Sequence, residues 1–189
     1  SLLIRVSHDV AGIAEELMEK LYVCGYLQNT LILSPPACGK TTLLRDLVRQ
    51  VSNGTVWSSG LNVSLVDERE ELAAVYMGVP TMDVGKRTDI ISGCEKAVAM
   101  EMCLRALGPE VVAVDEVYSE KDIAALIRLQ GCGCAILATH HAYSLEEFWE
   151  KPFGLEVMKE KIFKRFVLLE KRDGKYNISG VFDKNGECI

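Results

Sequence analysis

The chain has 189 residues, 49% of them hydrophobic, and a formal net charge of −6. This hydrophobic content suffices for the core of one α/β domain with an appendage. The acidic balance excludes the overall positive field that draws proteins to nucleic acid, so we expect no nucleic-acid partner. No apolar run approaches the roughly 20 residues of a membrane-spanning helix, and no signal peptide is visible.

The start of the chain predicts only a lead-in. Residues 1–10 alternate at first like a short strand, and residues 11–21 have the spacing of a helix. We therefore expect residues 1–28 to be a linker or the remnant of an N-terminal region, and residues 29–189 to be the main domain. Because the sequence begins with Ser1 rather than Met, we expect an upstream portion in the full-length protein.

The seven cysteines are an odd number and show no repeated CxxC spacing. This usage predicts reduced thiols of a cytosolic protein. Cys132 and Cys134 are the only close pair. Without a neighbouring histidine they are weak evidence for zinc.

The strongest motif is a phosphate-binding loop. The apolar residues Leu31–Leu33 predict a buried strand, a loop follows that ends in Gly39-Lys40-Thr41, and residues 43–51 are apolar at helical spacing. Strand, loop and helix are the context in which this motif binds the phosphates of ATP through main-chain N–H groups. We expect Lys40 to contact the β- and γ-phosphates and Thr41 to ligate Mg²⁺. The candidate nucleotide-binding residues are Ser34, Pro35, Pro36, Ala37, Cys38, Gly39, Lys40, Thr41 and Thr42.

The loop departs from the usual motif at two positions. Ser34 replaces the first glycine, and Ala37 stands where glycine is frequent. A positive φ at Ala37 would cost about 1 kcal/mol or more relative to glycine. The alternative interpretation is an ordinary strand–turn–helix in which Gly-Lys-Thr occurs by accident.

A second apolar strand, residues 111–114, ends in Asp115 and Glu116. Two carboxylates at this place predict that Asp115 binds Mg²⁺, through water, and that Glu116 activates the attacking water as general base. A glutamate directly after the aspartate indicates the ATPases with an additional strand between the loop strand and this one.

Residues 135–141 predict that additional strand. It ends in Thr139, His140 and His141, so its polar end would lie near the γ-phosphate. Thr139 or one of the two histidines could sense this phosphate by a hydrogen bond. The residues alone do not decide which histidine faces it.

The remaining segments support an α/β fold. Residues 61–66 predict a strand, and the five charges at 67–71 either belong to the site or begin an ordinary helix. The glycine-rich stretch 75–93 predicts a long loop that contacts substrate or a neighbouring subunit, or is plain surface. Helices are predicted at 40–52, 95–107 and 119–129 and from 144 onwards. Residues 165–170 and 175–182 predict antiparallel strands that close one edge of the sheet.

The motifs together resemble one family along nearly the whole chain. Residues 34–46, the tetrapeptide 66–69, Gly-Val-Pro at 78–80, residues 83–89, Gly-Cys-x-Lys-Ala at 93–97 and Val-Asp-Glu at 114–116 resemble the stage III sporulation protein AA family, the ATPase of a channel between mother cell and forespore. The resemblance implies a RecA-like P-loop NTPase core: a mostly parallel sheet flanked by helices, with C-terminal antiparallel hairpin strands. It also implies a relationship to the ATPases of type II and type IV secretion.

The resemblance further implies site residues and partners. Asp67, Glu68 and Arg69 would be functional, and His141 aligns with the histidine of the family. Arg87 would contact phosphate, within its own subunit or across a subunit boundary. The expected partners are ATP, Mg²⁺, further copies of the chain in a hexamer, and membrane proteins of a sporulation secretion complex. The expected location is cytoplasmic, at the mother-cell side of the forespore membrane.

Three functions follow as hypotheses. The first is an ATP-hydrolysing motor subunit that energises assembly of the channel or transport through it. The second is an oligomeric scaffold that binds nucleotide but hardly hydrolyses it, which Ala37 and Tyr118 motivate because they replace the usual glycines. The third is a nucleic-acid translocase, which the acidic charge and the lack of an aromatic-basic stripe disfavour.

Overall fold

A computed structural model describes residues 11–172 and 175–189. The strand predicted within residues 1–10 lies outside the described residues, as do Asp173 and Gly174 between the two predicted C-terminal strands. Among the residues that are described, no helix is both long and apolar enough to cross a membrane.

A seven-stranded sheet forms the centre of the fold. Its strands are β1 (Thr30–Ser34), β2 (Val63–Asp67), β3 (Thr88–Ser92), β4 (Val111–Val114), β5 (Ala135–His141), β6 (Arg165–Arg172) and β7 (Lys175–Asp183). Their spatial order is β7-β6-β1-β5-β4-β2-β3, and only the β6–β7 pair is antiparallel. The predicted additional strand is therefore confirmed, because β5 lies between β1 and β4. The predicted closing hairpin at one edge, β6–β7, is confirmed as well.

Helices cover both faces of the sheet, as a parallel sheet requires. The helices are α1 (Glu15–Leu21), α2 (Lys40–Asn53), α3 (Lys96–Met102), α4 (Glu120–Gly131), α5 (Leu145–Glu150) and α6 (Pro152–Lys159), and α3 continues into a π-helical turn at Cys103–Leu107. Ser119 and Asp122 form a reciprocal capping box that fixes the start of α4, as their spacing predicts.

The core consists of two clusters, one on each face. Alternate residues of β1 divide between them: Leu31 and Leu33 pack with α3 to α6, whereas Ile32 packs with α1 and α2. The same alternation divides Ile136 from Leu137 in β5. β1 and β5 are thus apolar on both sides, which explains the continuous apolar runs at these places in the sequence.

Two predictions about local structure were wrong. The stretch predicted as a loop over 75–93 contains β3, the parallel edge strand beside β2, and a small hairpin of Val75–Tyr76 with Val79–Pro80. An edge strand is covered on fewer sides, so β3 lacks the apolar pattern of the inner strands. The helix predicted from residue 11 begins at Glu15, because Gly12 has a φ of 89°. Two further hairpins pair Tyr22–Val23 with Tyr26–Leu27 and Gly54–Thr55 with Ser58–Ser59.

Candidate active site

The carboxyl ends of the parallel strands bring the predicted site residues together. Ser34 of β1 is in register with His141 of β5, and Val114 of β4 is in register with Ala138. Val66 of β2 pairs with the other side of Val114. The residues that directly follow these strands therefore meet at the carboxyl end of the sheet, where ligands bind in open α/β folds.

The loop between β1 and α2 has the backbone shape of a phosphate-binding loop. Gly39, with a φ of 83°, directly precedes α2, and the amide of Leu43 bonds to its carbonyl. Ala37 has a φ of 56°, as the motif demands of a residue in this place. A left-handed alanine costs about 1–2 kcal/mol, so this loop keeps a strained conformation instead of relaxing into an ordinary turn.

Lys40 extends across the mouth of this loop. Its Nζ lies 2.8 Å from Nδ1 of His141 and 3.3 Å from Oγ of Ser34. Burial lowers the pKa of Lys40, and the charges of Asp115 and Glu116 partly oppose this effect. Since an ammonium group only donates, Nδ1 of His141 accepts and its Nε2 carries the hydrogen.

Thr41 and Asp115 fit a Mg²⁺ site. The Thr41 hydroxyl donates to Oδ2 of Asp115 at 2.9 Å, so the two oxygens expected to share the ion are already adjacent. The Thr139 hydroxyl donates to the other oxygen of Asp115 and accepts the main-chain N–H of Glu116. No group of three or more potential His, Cys, Asp or Glu ligands occurs in the described ranges 11–172 and 175–189. Phosphate oxygens and water would complete such a coordination shell, as is usual for Mg²⁺.

Glu116 is held between a histidine and an arginine. Its Oε1 lies 3.1 Å from Nε2 of His141, and its Oε2 lies 2.8 Å from Nη1 of Arg69. Burial raises the pKa of Glu116, but the hydrogen bond from His141 and the charges of Arg69 and Lys40 outweigh burial and hold it below its ordinary value. The carboxylate is therefore ionised at neutral pH, as a proton acceptor must be.

The two adjacent histidines point to opposite faces of β5. His141 bridges Lys40 and Glu116, whereas His140 is buried and bonds through Nδ1 to the carbonyl of Val117 at 2.7 Å. His140 also stacks on Phe153 with ring centroids 4.7 Å apart. The structure therefore places His141 at the phosphate loop. The hydroxyl of Thr139 already donates one hydrogen bond, to Asp115, and accepts one, from the N–H of Glu116.

The charged segment after β2 divides into structural and site-facing residues. Asp67 is buried, and its carboxylate accepts the main-chain N–H groups of residues 71–73. Arg45 of α2 donates to the carbonyls of Glu71 and Leu72 at 2.7 and 2.6 Å. Asp67 and Arg45 thus anchor the turn that presents Glu68 and Arg69, which line the cleft beside Asp115 and Glu116.

Lys96 is a cleft residue to which the sequence assigned no role. Its Nζ lies 3.0 Å from Oε2 of Glu68 and donates to the carbonyl of Glu116 at 3.0 Å. The ammonium group also lies 4.4 Å from the ring centroid of Tyr118. The motif Gly-Cys-x-Lys-Ala at residues 93–97 was the available signal.

Arg87 is the one predicted site residue that the fold places elsewhere. It directly precedes β3, and its carbonyl accepts the N–H of Val63 at the start of β2. Its guanidinium donates to the carbonyl of Gly60 at 3.0 Å. Arg87 therefore lies at the amino ends of the strands, whereas the phosphate loop of its own chain lies at their carboxyl ends.

Comparisons with known proteins agree with this architecture. The profile of the family described as sporulation stage III, protein AA, matches residues 1–189. Stage III sporulation protein AA of Bacillus subtilis (strain 168) is 36% identical over 186 residues, which are 98% of this chain and 60% of that protein. The chain thus spans less than two thirds of the length of this relative.

Two solved structures have a similar fold. The ATPase DotB of Legionella pneumophila has a TM-score of 0.64 at 12% identity, over 90% of this chain and 48% of that one. The VirB11 ATPase of the Brucella suis type IV secretion system, solved with sulphate, has a TM-score of 0.60 at 15% identity, over 91% and 53%. At such low identity the likeness concerns the fold alone, which is the predicted α/β core of P-loop ATPases.

Proposed function

The chain belongs to the family of sporulation stage III, protein AA, and on this premise we propose that it is an ATP-hydrolysing motor subunit. The observation that carries the proposal is the convergence of five side chains at the carboxyl end of the sheet. They are those of Lys40, Thr41, Asp115, Glu116 and His141. Hydrolysis would energise assembly of a secretion-type channel between mother cell and forespore, or transport through it.

The residues have distinct roles in this proposal. Lys40 and the main-chain N–H groups of residues 34–42 bind the β- and γ-phosphates. Thr41 and Asp115 hold Mg²⁺, which supplies neutralisation of phosphate charge when bound. Glu116 orients the attacking water and accepts its proton. The water oxygen bonds to the γ-phosphorus while the bond from that phosphorus to the oxygen shared with the β-phosphate breaks, and ADP leaves. His141, now hydrogen-bonded to both Lys40 and Glu116, is placed to report on the γ-phosphate to the carboxylate.

Arg69 and Arg87 enter the proposal differently. Arg69 already contacts Glu116, and with a side chain 61% exposed it is free to move towards developing charge on the phosphates. Arg87 lies at the amino ends of the strands, away from the phosphate loop of its own chain. It could therefore contact phosphate only in the site of a neighbouring copy. We therefore propose a homo-oligomer, a hexamer by family resemblance, that docks on membrane proteins at the cytoplasmic, mother-cell side. Residues 1–28 are proposed as a remnant of an N-terminal region or as the linker to it.

The direct test is ATP hydrolysis with Mg²⁺ by the purified chain beside Lys40→Ala and Glu116→Gln. We expect both variants to lose hydrolysis, and Glu116→Gln to retain nucleotide binding. The matched control is Glu120→Gln, a nearby exposed glutamate whose loss should leave the rate unchanged. Equal rates in the parent and Glu116→Gln would refute the assigned base.

The shared site requires a second test. If neighbouring subunits complete it, the rate per subunit rises with protein concentration, in parallel with oligomer size. A specific activity that stays flat while oligomers form would contradict the contribution of Arg87 across a boundary.

A nucleotide-binding scaffold is the second candidate, favoured by the left-handed Ala37 in the phosphate loop. It predicts that Glu116→Gln supports sporulation as well as the parent does, because only binding would be needed. Loss of sporulation in that variant, with nucleotide still bound, would exclude the scaffold.

A further inference from the structure

Lys96 is a buried cation in an acidic cleft. The cleft is lined by Asp67, Glu68, Arg69, Glu71, Lys96, Asp115 and Glu116, so five carboxylates share it with two cations. The side chain of Lys96 is 5% exposed, whereas that of Arg69 is 61% exposed. Lys96 is thus the buried cation of the cleft and Arg69 the exposed one.

The position of Lys96 in its helix is locally unfavourable. It is the first residue of α3, where a positive charge is repelled by the helix dipole. Taking an ammonium group out of water also costs free energy unless it is paired. Natural proteins break such local rules mainly at functional sites, so the contacts of Lys96 should explain its presence.

Those contacts converge on the backbone of Glu116. Glu116 has a φ of 52°, a left-handed conformation that is strained for any residue with a side chain. Its N–H is held by Thr139 at 2.8 Å and its carbonyl by Lys96 at 3.0 Å. One strained peptide segment is therefore clamped from both sides, and this conformation directs the Glu116 side chain to His141 and Arg69.

We propose that Lys96 is a positioning residue, whose ammonium group ties Glu68 to the main-chain carbonyl of Glu116 and so fixes the general base of hydrolysis. The inference rests on the proposed function. Lys96 acts through Glu116, because its ammonium group is engaged by the Glu116 carbonyl and the Glu68 carboxylate. Its loss should therefore slow the chemical step and leave nucleotide binding intact.

The experiment compares Lys96→Met and Lys96→Gln with the parent. Methionine keeps the apolar stem but removes the charge and all donors, whereas the glutamine amide can still donate to the Glu116 carbonyl. The matched control is Lys121→Met, which removes an exposed lysine paired with Glu95 at the same distance of 3.0 Å.

We expect Lys96→Met to lower kcat by roughly 10- to 100-fold with KM for MgATP changed less than about threefold. Lys96→Gln should recover part of this loss, and Lys121→Met should match the parent. Independently of turnover, amide hydrogen exchange of the nucleotide-free protein should be faster at residues 115–118 in Lys96→Met than in the control.

The outcomes separate the two proposals. A parent that hydrolyses ATP through Lys40, beside Lys96 variants that match Lys121→Met, would refute the positioning role alone. A joint loss of kcat, nucleotide affinity and thermal stability would show a merely structural role and also refute it. A parent without hydrolysis would refute the proposed function, and the positioning role with it. Should Lys96→Met fail to fold, Lys96→Gln decides by the same criteria.

Discussion

Burial of His140 predicts that the folded state loses stability at mildly acidic pH. Burial lowers the pKa of His140; the hydrogen bond to the Val117 carbonyl opposes this shift, and the charges of Lys151 and Lys40 add to it. The ring is enclosed by Phe153, stacked at 4.7 Å, and by Phe148, edge-on at 5.3 Å. Protonation would thus place a charge in an aromatic pocket.

The sign of the effect follows from proton linkage. Because the folded pKa of His140 lies below the ordinary value of 6.5, the unfolded chain binds more protons between these two values. The contribution of His140 to stability is fully present above pH 6.5 and is lost as the pH falls from 6.5 to the folded pKa. One proton gives a slope of at most about 1.4 kcal/mol per pH unit in that window.

The assay is urea unfolding between pH 5.5 and 7.5 for the parent, His140→Gln and His141→Gln. The glutamine amide can still donate to the Val117 carbonyl, so His140→Gln should lose mainly the aromatic contacts, about 0.5–1.5 kcal/mol at pH 7.5. We expect its stability to depend much less on pH, whereas His141→Gln keeps the slope of the parent. Two results would refute the assignment of the buried position to His140 and of the loop position to His141. One is an unchanged pH dependence of stability in His140→Gln, and the other is its disappearance in His141→Gln.

Two further variants test the framework of the site. Asp46→Ala should destabilise the fold by about 2–4 kcal/mol, because it leaves the main-chain N–H groups of Gly12 and Ala14 without their acceptor. Urea unfolding measures this loss. The control is Asp89→Ala at an exposed position, whose stability should lie within about 0.5 kcal/mol of the parent. Gly85→Ala should lower the free energy of unfolding by about 2–4 kcal/mol, since Gly85 has a φ of 89° and an added Cβ would lie 2.6 Å from the Cβ of Ser52. Gly133 also has a positive φ but has open space around it. Gly133→Ala should therefore lower the free energy of unfolding by only about 1 kcal/mol. Equal melting temperatures for the two glycine variants would contradict the crowding argument.

The centre of the sheet could be predicted because its strands are extreme in composition. Residues 111–114 and 135–138 are apolar without interruption and are followed by polar groups, a pattern that a parallel strand buried on both faces imposes. The glutamate after Asp115 further indicated the strand order. By contrast, β3 is an edge strand with half-exposed residues, so its burial and its sequence pattern are both weak.

The choice between the histidines required tertiary information. Alternation along β5 dictates that His140 and His141 face opposite sides, but the sequence does not say which side α2 covers. In the fold, α2 packs on the face that carries Leu137, and His141 has the same parity. The role of Lys96 was inaccessible for a related reason, since its partners Glu68 and Glu116 lie 28 and 20 residues away along the chain.

The acidic residues that follow the strands look equivalent in sequence, and their partners separate them. The carboxylate of Asp67 is occupied by three main-chain N–H groups and supports a turn. Asp115 is bound by the hydroxyls of Thr41 and Thr139, the arrangement of a ligand to a hard cation. Of these three residues, Glu116 is the one whose oxygens contact partly exposed side chains, Oε1 a histidine and Oε2 an arginine, which fits the proposed role of proton acceptor. The position after a buried strand therefore predicts where the candidate site lies, and the hydrogen-bond partners distinguish the carboxylate that fits the proposed role of general base.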